Sequence, residues 1–163
     1  MPAIVSIVGQ SNSGKTTLIT RLIPELKKRG YLIGVVKHAG CEVNIDQEGK
    51  DSYRHRQAGA DTVVLAANDS LSMVTNSHQN SLQSLVKYFQ DVDLVITDGF
   101  KREKQLKLEA FRQELGQTPM CLDDPQLIGL ITDADFDTQL TLFDINKPLP
   151  IADFIEERFL KKN

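Results

Sequence analysis

Apolar positions in this chain recur in short blocks whose spacing switches between the period of a strand and the period of a helix. Ile4 to Val8 is a brief, mostly β-branched and apolar run, the pattern of a strand buried on both faces of a parallel sheet. Leu18, Ile19, Leu22, Ile23 and Leu26 then form one stripe at helical spacing. Lys27, Lys28 and Arg29 complement the dipole at the end of that helix, and Gly30 stops it. Pro24 lies inside the pattern and is expected to kink it, because a proline frees the carbonyl of Thr20. Leu32 to Val36 reads as a second buried strand.

Further along, Asp51-Ser52 has the character of a cap before a short basic helix over Tyr53 to Ala58, with a stop at Gly59. Thr62 to Ala66 and Leu71 to Thr75 flank Asn68-Asp69 as a hairpin that would add antiparallel pairing to an otherwise parallel sheet. Ser81 caps a helix carrying Leu82, Leu85, Val86 and Phe89 on one face. Leu94 to Thr97 and Leu127 to Ile131 are buried strands. Leu106 to Arg112 alternates apolar with polar and predicts a half-exposed strand, with a helix as the alternative. Ile151 to Leu160 closes the chain as an amphipathic helix. No repeat, low-complexity tract or linker divides the sequence, so a single α/β domain over residues 1–163 is expected.

Chemistry enters at Gly9-Gln10-Ser11-Asn12-Ser13-Gly14-Lys15-Thr16, which fits G-x-x-x-x-G-K-[ST] between the first strand and the first helix. Gly9 and Gly14 permit a turn whose N–H groups, including those of Ser11, Asn12 and Ser13, wrap a polyphosphate. Lys15 is placed to reach the outer phosphates, and the Thr16 hydroxyl to hold Mg²⁺. The helix starting there also points its positive end at the anion. A chance glycine-rich turn is the plain alternative, but the strand before it and the amphipathic helix after it supply the required context. The expected fold is therefore that of a P-loop nucleoside triphosphatase, three-layered, mostly parallel, with an added hairpin.

The strand ending in Asp98-Gly99 has the form of a Walker B strand, whose carboxylate reaches Mg²⁺ directly or through water. Lys101 and Arg102 follow in a charged loop and either approach phosphate or remain solvated. Asp133 ends a later strand, where an acid can pair with a guanine edge; a plain turn residue is the equal alternative, since no Asn-Lys-x-Asp motif is present. His38, Cys41 and Glu42 lack a second ligand pair at zinc spacing, and His55 and His78 read as surface residues. No nucleophilic triad is evident.

Composition narrows the setting. With 40% hydrophobic and 25% charged residues, 163 residues suit one globular domain with a sizeable core. The net charge of −3 offers no general attraction to nucleic acid or anionic membrane. No apolar run is long enough to span a bilayer. Cys41 and Cys121 do not suggest a disulfide framework, and Met1-Pro2-Ala3 leads straight into the first strand without room for a signal peptide. A reduced, cytoplasmic location is expected.

Taken together, these motifs resemble the MobB family, molybdopterin-guanine dinucleotide biosynthesis protein B. The resemblance spans most of the chain. It covers the P-loop helix through Leu22-Ile23-Pro24-Glu25-Leu26-Lys27 and Arg29-Gly30, then Val36-Lys37-His38, then Asp46-x-x-Gly49-Lys50-Asp51-Ser52 and Ala58-Gly59-Ala60. It continues through Asp93-Leu94-Val95 to Gly99-Phe100-Lys101 and Leu122-Asp123-Asp124-Pro125. The P-loop is generic, whereas Lys-His joined to Gly-Lys-Asp-Ser and the Gly-Phe-Lys are more particular.

The resemblance implies a homodimeric GTP-binding protein with weak GTPase activity. It would assist a guanylyltransferase partner, MobA, in attaching GMP to molybdopterin. By position, Gly14, Lys15, Thr16 and Thr17 would hold phosphates and metal, while Asp46, Lys50 and Asp51 would face the nucleotide or the partner. Asp98 stands where relatives usually carry Glu, and Ala39-Gly40-Cys41 stands where they often carry additional histidines. Any role that needs clustered histidines is not carried over. A P-loop small-molecule kinase using ATP, with Asp51 or Asp98 activating an acceptor hydroxyl, is the competing expectation; it lacks an evident arginine-rich lid.

Overall fold

The computed structural model describes residues 1–40, 47–76, 81–115 and 118–161. The chain gathers into two compact units, Met1–His38 with Ser81–Asn163, and Ala39–Asn80. The expectations for Cys41, Glu42, Asp46 and His78 fall outside the described residues.

In the larger unit, strand β1 (Ala3–Val8) leads through the phosphate-loop motif into helix α1 (Lys15–Lys28), and strand β2 (Ile33–Lys37) follows. In the smaller unit lie helix α2 (Asp51–Gln57) and strands β3 (Thr62–Ala66) and β4 (Leu71–Thr75). The larger unit resumes with the short helix α3 (Leu82–Leu85) and strands β5 (Leu94–Asp98), β6 (Lys107–Phe111), β7 (Leu127–Thr132) and β8 (Thr141–Asp144). Helix α4 (Pro148–Ile155) comes last and widens into a π-helical turn over Glu156–Leu160.

Six strands form one sheet in the order β2-β5-β1-β6-β7-β8, and every pairing in it is parallel. The β1 strand therefore has neighbours on both sides, and β5 and β6 deliver their carboxyl ends on either flank of its loop. The side-chain period of two divides the core between the faces of the sheet. Val5, Ile7, Leu94, Ile96, Leu108 and Ile131 pack with Leu18, Leu22 and Leu26 of α1 and Ile151 and Ile155 of α4. Val36, Val95 and Phe100 pack with Leu82 in a separate cluster. Each fully buried leucine of α1 contributes ~2 kcal/mol of transfer free energy, which offsets the ordering of that helix.

Where α1 stops, Gly30 takes φ 91° and its N–H donates to the carbonyl of Lys27, as the sequence predicts. Pro24 is accommodated inside the helix, which runs on to Lys28. Arg29 then ties α1 to the C-terminal helix, with 2.6 Å contacts to both Asp153 and Glu156.

Four expectations are corrected. The hairpin β3–β4 forms its own two-stranded antiparallel sheet instead of joining the parallel one. Asp51-Ser52 is not the cap of α2; Lys50 is the N-cap residue, without a side-chain capping bond, and Asp51 sits in the first turn, where its charge complements the dipole. Ser81 does cap its helix, accepting from the Ser84 N–H at 3.3 Å, but α3 tightens into a 3-10 turn over Val86–Tyr88.

The fourth correction concerns β6, which is buried along its whole length instead of half-exposed. Its alternating charges are not solvated but satisfied internally. Lys107 Nζ donates to the carbonyls of Lys101 (3.0 Å) and Glu103 (3.1 Å) and to Asp124 Oδ2 (2.6 Å). Glu109 accepts the N–H groups of Met120 (2.6 Å) and Cys121 (2.9 Å). Strand β8 is an addition that the sequence reading did not contain.

Candidate functional site

The loop after β1 takes the form that its glycines allow. Gly9 has φ 141° and Gly14 has φ 88°, and Asn12 joins them in the left-handed region at φ 64°. Gly9 also passes close to the neighbouring strand: a Cβ there would stand 2.2 Å from the Ala110 carbonyl oxygen and 2.8 Å from Ser13 Oγ. Only a residue without a side chain fits, so Gly9 is required by space as well as by conformation. Gly14 is the N-cap of α1 and gives no side-chain acceptor to the first turn, which leaves the helix's leading N–H groups for another partner.

Two polar groups inside the turn mark it as a cradle. Ser13 is 1% exposed, and its Oγ is buried with no hydrogen-bond partner among the described residues, a state that costs free energy unless a ligand or water completes it. Lys15 curls back over the loop and donates from Nζ to the carbonyls of Gly9 (2.9 Å) and Gln10 (2.5 Å). Burial pushes its ammonium below the ordinary lysine value; Asp98 acts in the opposite sense, and Lys37 adds to the lowering. A cation held over a concave turn of N–H groups suits an anion with several oxygens.

Thr16 and Asp98, predicted as the metal pair, are brought together. Thr16 Oγ1 is 3.4 Å from Asp98 Oδ2, although the two residues are 82 positions apart in the sequence. Asp98 is 8% exposed at the end of a wholly buried strand. Lys37, from the end of β2, approaches the same oxygen at 3.5 Å. A hydroxyl and a carboxylate oxygen are the hard donors that Mg²⁺ favours, so the residues present fit such an ion. Beyond Asp98 the chain turns sharply, with Gly99 at φ 101° and Phe100 at φ 60°, and the Phe100 ring packs edge-on against His38 at 5.0 Å.

The remaining predicted residues are placed as follows. Ser11, Asn12 and Thr17 lie exposed on the loop and the first turn of α1. Lys101 and Arg102 are exposed after β5, with the Lys101 carbonyl held by Lys107. Lys50 belongs to the smaller unit, at the start of α2, and His55 is exposed on that helix.

Asp133 follows β7. Its Oδ1 accepts the Gln113 N–H at 3.0 Å, and its Oδ2 lies 3.3 Å from an Arg112 nitrogen. It also lines a cavity of about 380 Å³ with Thr132, Asp135, Phe143, Asp144 and Asn146. A Cβ on Gly14 of the loop would meet Ile145 at 3.5 Å, a residue whose neighbours Asp144 and Asn146 line the cavity. Sequence reasoning missed Arg112 and Asp144. Neither belongs to a motif, and β8, which carries Asp144, was not anticipated.

The parallel α/β sheet, with a phosphate-loop motif between its central strand and the following helix, defines the class: a P-loop fold of the nucleotide-binding type. Comparison with known proteins narrows it further. The model of the family described as molybdopterin guanine dinucleotide synthesis protein B (MobB) matches residues 4–133, and the chain belongs to that family. It is 38% identical to the molybdopterin-guanine dinucleotide biosynthesis adapter protein of Haemophilus influenzae, over 94% of this chain and 87% of that protein. Identity to the protein of the same name in Escherichia coli is 33%, over 100% and 97% of the two chains. The fold superposes on the crystal structure of Bacillus subtilis MobB with a TM-score of 0.79, 26% identity and coverage of 98% and 99%. No helix among the described residues is long and apolar enough to cross a membrane.

Proposed function

We propose that this chain is a GTP-binding adaptor of molybdopterin guanine dinucleotide biosynthesis, with slow Mg²⁺-dependent GTPase activity, acting beside a MobA-like guanylyltransferase in the cytoplasm. The observation that carries the nucleotide assignment is the buried, unpartnered Ser13 Oγ inside a glycine turn capped by Lys15. In this reading Gly9 and Ser11 to Gly14 cradle the phosphates through backbone N–H groups, and Lys15, Thr16 and Thr17 complete the contact. Thr16 and Asp98 would hold Mg²⁺, which neutralises charge on the phosphates when bound. Two copies of the chain would pair, and Lys50 would contact the nucleotide or the partner, as the family resemblance implies.

Guanine preference is supported by the acid-lined cavity beyond β7. Asp133, Asp135 and Asp144 disfavour phosphate there and suit a base edge with adjacent N–H donors, as guanine has at N1 and N2, whereas adenine sets an acceptor at N1 beside its amino group. A carboxylate oxygen has a second lone pair, so Asp133 can accept from a base while keeping its protein contacts. Slow hydrolysis is consistent with the chemistry on hand. Lys15 would stabilise negative charge on the phosphates directly and Asp98 through the Mg²⁺ it would hold, but no side chain among the described residues is dedicated to orienting a water.

Calorimetric titration with GTP and ATP, with and without Mg²⁺, tests the reading. GTP is expected to bind in preference to ATP and to depend on Mg²⁺, and Lys15→Ala is expected to abolish binding. ATP preference, with phosphate transfer onto a small alcohol, would move the assignment to a kinase. Near-normal GTP affinity in Lys15→Ala would remove the site assignment.

A further inference from the structure

Arg112 follows β6 directly, and the reading above leaves it without a task. Its guanidinium lies against the start of α1: a Cβ on Gly14 would stand 3.3 Å from Nε and 3.6 Å from Nη2. A cation is electrostatically misplaced there, because the leading end of a helix already carries about half a positive charge. Lys15 adds another cation in the same turn. The carboxylate beside Arg112 is Asp133, 3.3 Å from Nη1, and both side chains are partly open to solvent, so this pair contributes little by itself. Its geometry is more informative. Nη1 is the nitrogen turned to Asp133, whereas Nε and Nη2, the edge that forks around two oxygens of a phosphate, face Gly14. Among the described residues neither of those two nitrogens has an acceptor.

We propose that Arg112 is a further phosphate-contacting residue of the nucleotide site, held in its orientation by Asp133 as a positioning residue. The inference rests on the GTP reading and deepens it: the chain supplies in cis a second side-chain cation, from the strand flanking β1 on the side opposite Asp98. It also accounts for an arginine kept beside a helix start, where without an anion it is repelled.

The test is GTP titration in Mg²⁺ at two salt concentrations, on the wild-type chain and on Arg112→Ala, Arg112→Lys and Asp133→Asn. Arg112→Ala is expected to weaken GTP about tenfold, and to flatten the salt dependence because one cation–phosphate contact is lost. Arg112→Lys should restore part of the affinity, and Asp133→Asn, which in this reading also loses the base contact, should weaken binding of inorganic triphosphate less than Arg112→Ala does. Arg112→Ala binding GTP within twofold of wild type would overturn the inference, as would an affinity loss with unchanged salt dependence, which marks a merely structural role. Should Arg112→Ala melt early, Arg112→Gln, which keeps most of the volume and loses the charge, is judged by the same criteria. A wild-type chain that binds no GTP would instead overturn the GTP reading itself, and this inference with it.

Discussion

Replacing Gly9 with alanine separates two costs that are usually confounded, because Gly30 provides a matched control in the same unit. Both residues sit at positive φ, 141° and 91°, where an added Cβ is strained. Around Gly30 nothing lies within 4 Å of the new atom, so Gly30→Ala measures conformational strain alone. That strain is worth about 1 kcal/mol, or a fall in Tm of about 2–4 °C for a chain of this size. At Gly9 the same atom would lie 2.2 Å from the Ala110 carbonyl oxygen, more than an ångström short of ordinary contact. That oxygen belongs to the backbone of β6, which pairs with β1 and β7 and cannot step aside as a side-chain tip could. Overpacking of this kind adds about 2 kcal/mol, which makes the whole effect ~3 kcal/mol and the fall in Tm about 6–12 °C. Thermal denaturation followed by far-ultraviolet circular dichroism reads both variants. If Gly9→Ala melts within 2 °C of Gly30→Ala, the close approach does not constrain the loop and the steric argument fails.

Three further outcomes are expected. Asp124→Ala strands the Lys107 ammonium, 2% exposed, and should cost about 3 kcal/mol; Lys107→Met leaves a partly solvated carboxylate and should cost less, so urea denaturation giving the reverse order would refute the pairing. The hydrogen bond from Lys107 holds the Asp124 carboxyl below its usual range; a lowered folded-state value means that this stabilisation is complete above about pH 4 and lost as pH falls through the folded value, a loss that acid titration of Asp124→Asn should not show. Asp98→Asn should leave Mg²⁺-free GTP binding within about threefold while removing at least tenfold of the Mg²⁺-dependent gain, and an undiminished Mg²⁺ response in calorimetry would release Asp98 from the metal role.

The parts of the molecule governed by local rules were legible in the sequence. The phosphate loop was, because its spacing states a backbone requirement that Gly9 and Gly14 then meet. The α1 stripe and its Gly30 stop were, because helical period and glycine conformation are local. The joining of Thr16 with Asp98 followed from a motif that presumes the parallel order of β1 and β5. Long-range satisfaction was hidden. Lys107 and Glu109 read as solvent-facing because alternation is ordinarily a sign of one wet face, while their partners lie in loops up to 17 positions away. The hairpin β3–β4 was legible as a pairing, but which sheet it would join was not, since its turn fixes only the two strands against each other. Arg112 was invisible for a related reason, as its position matters only once β6 is laid beside the loop that follows β1.

The buried charges of β6 bear on how the sheet assembles. A parallel strand among branched aliphatic neighbours can slide along its axis by two residues, roughly 6.6 Å, and still present the same faces. Here such a slide would pull Lys107 off two carbonyls and Asp124, and Glu109 off two amides, exposing each charge to an apolar wall. The two residues behave as an index pin, and misaligned arrangements are rejected by charge where shape alone would tolerate them. The strand that flanks the phosphate-loop motif is thus set in register by buried charges of its own.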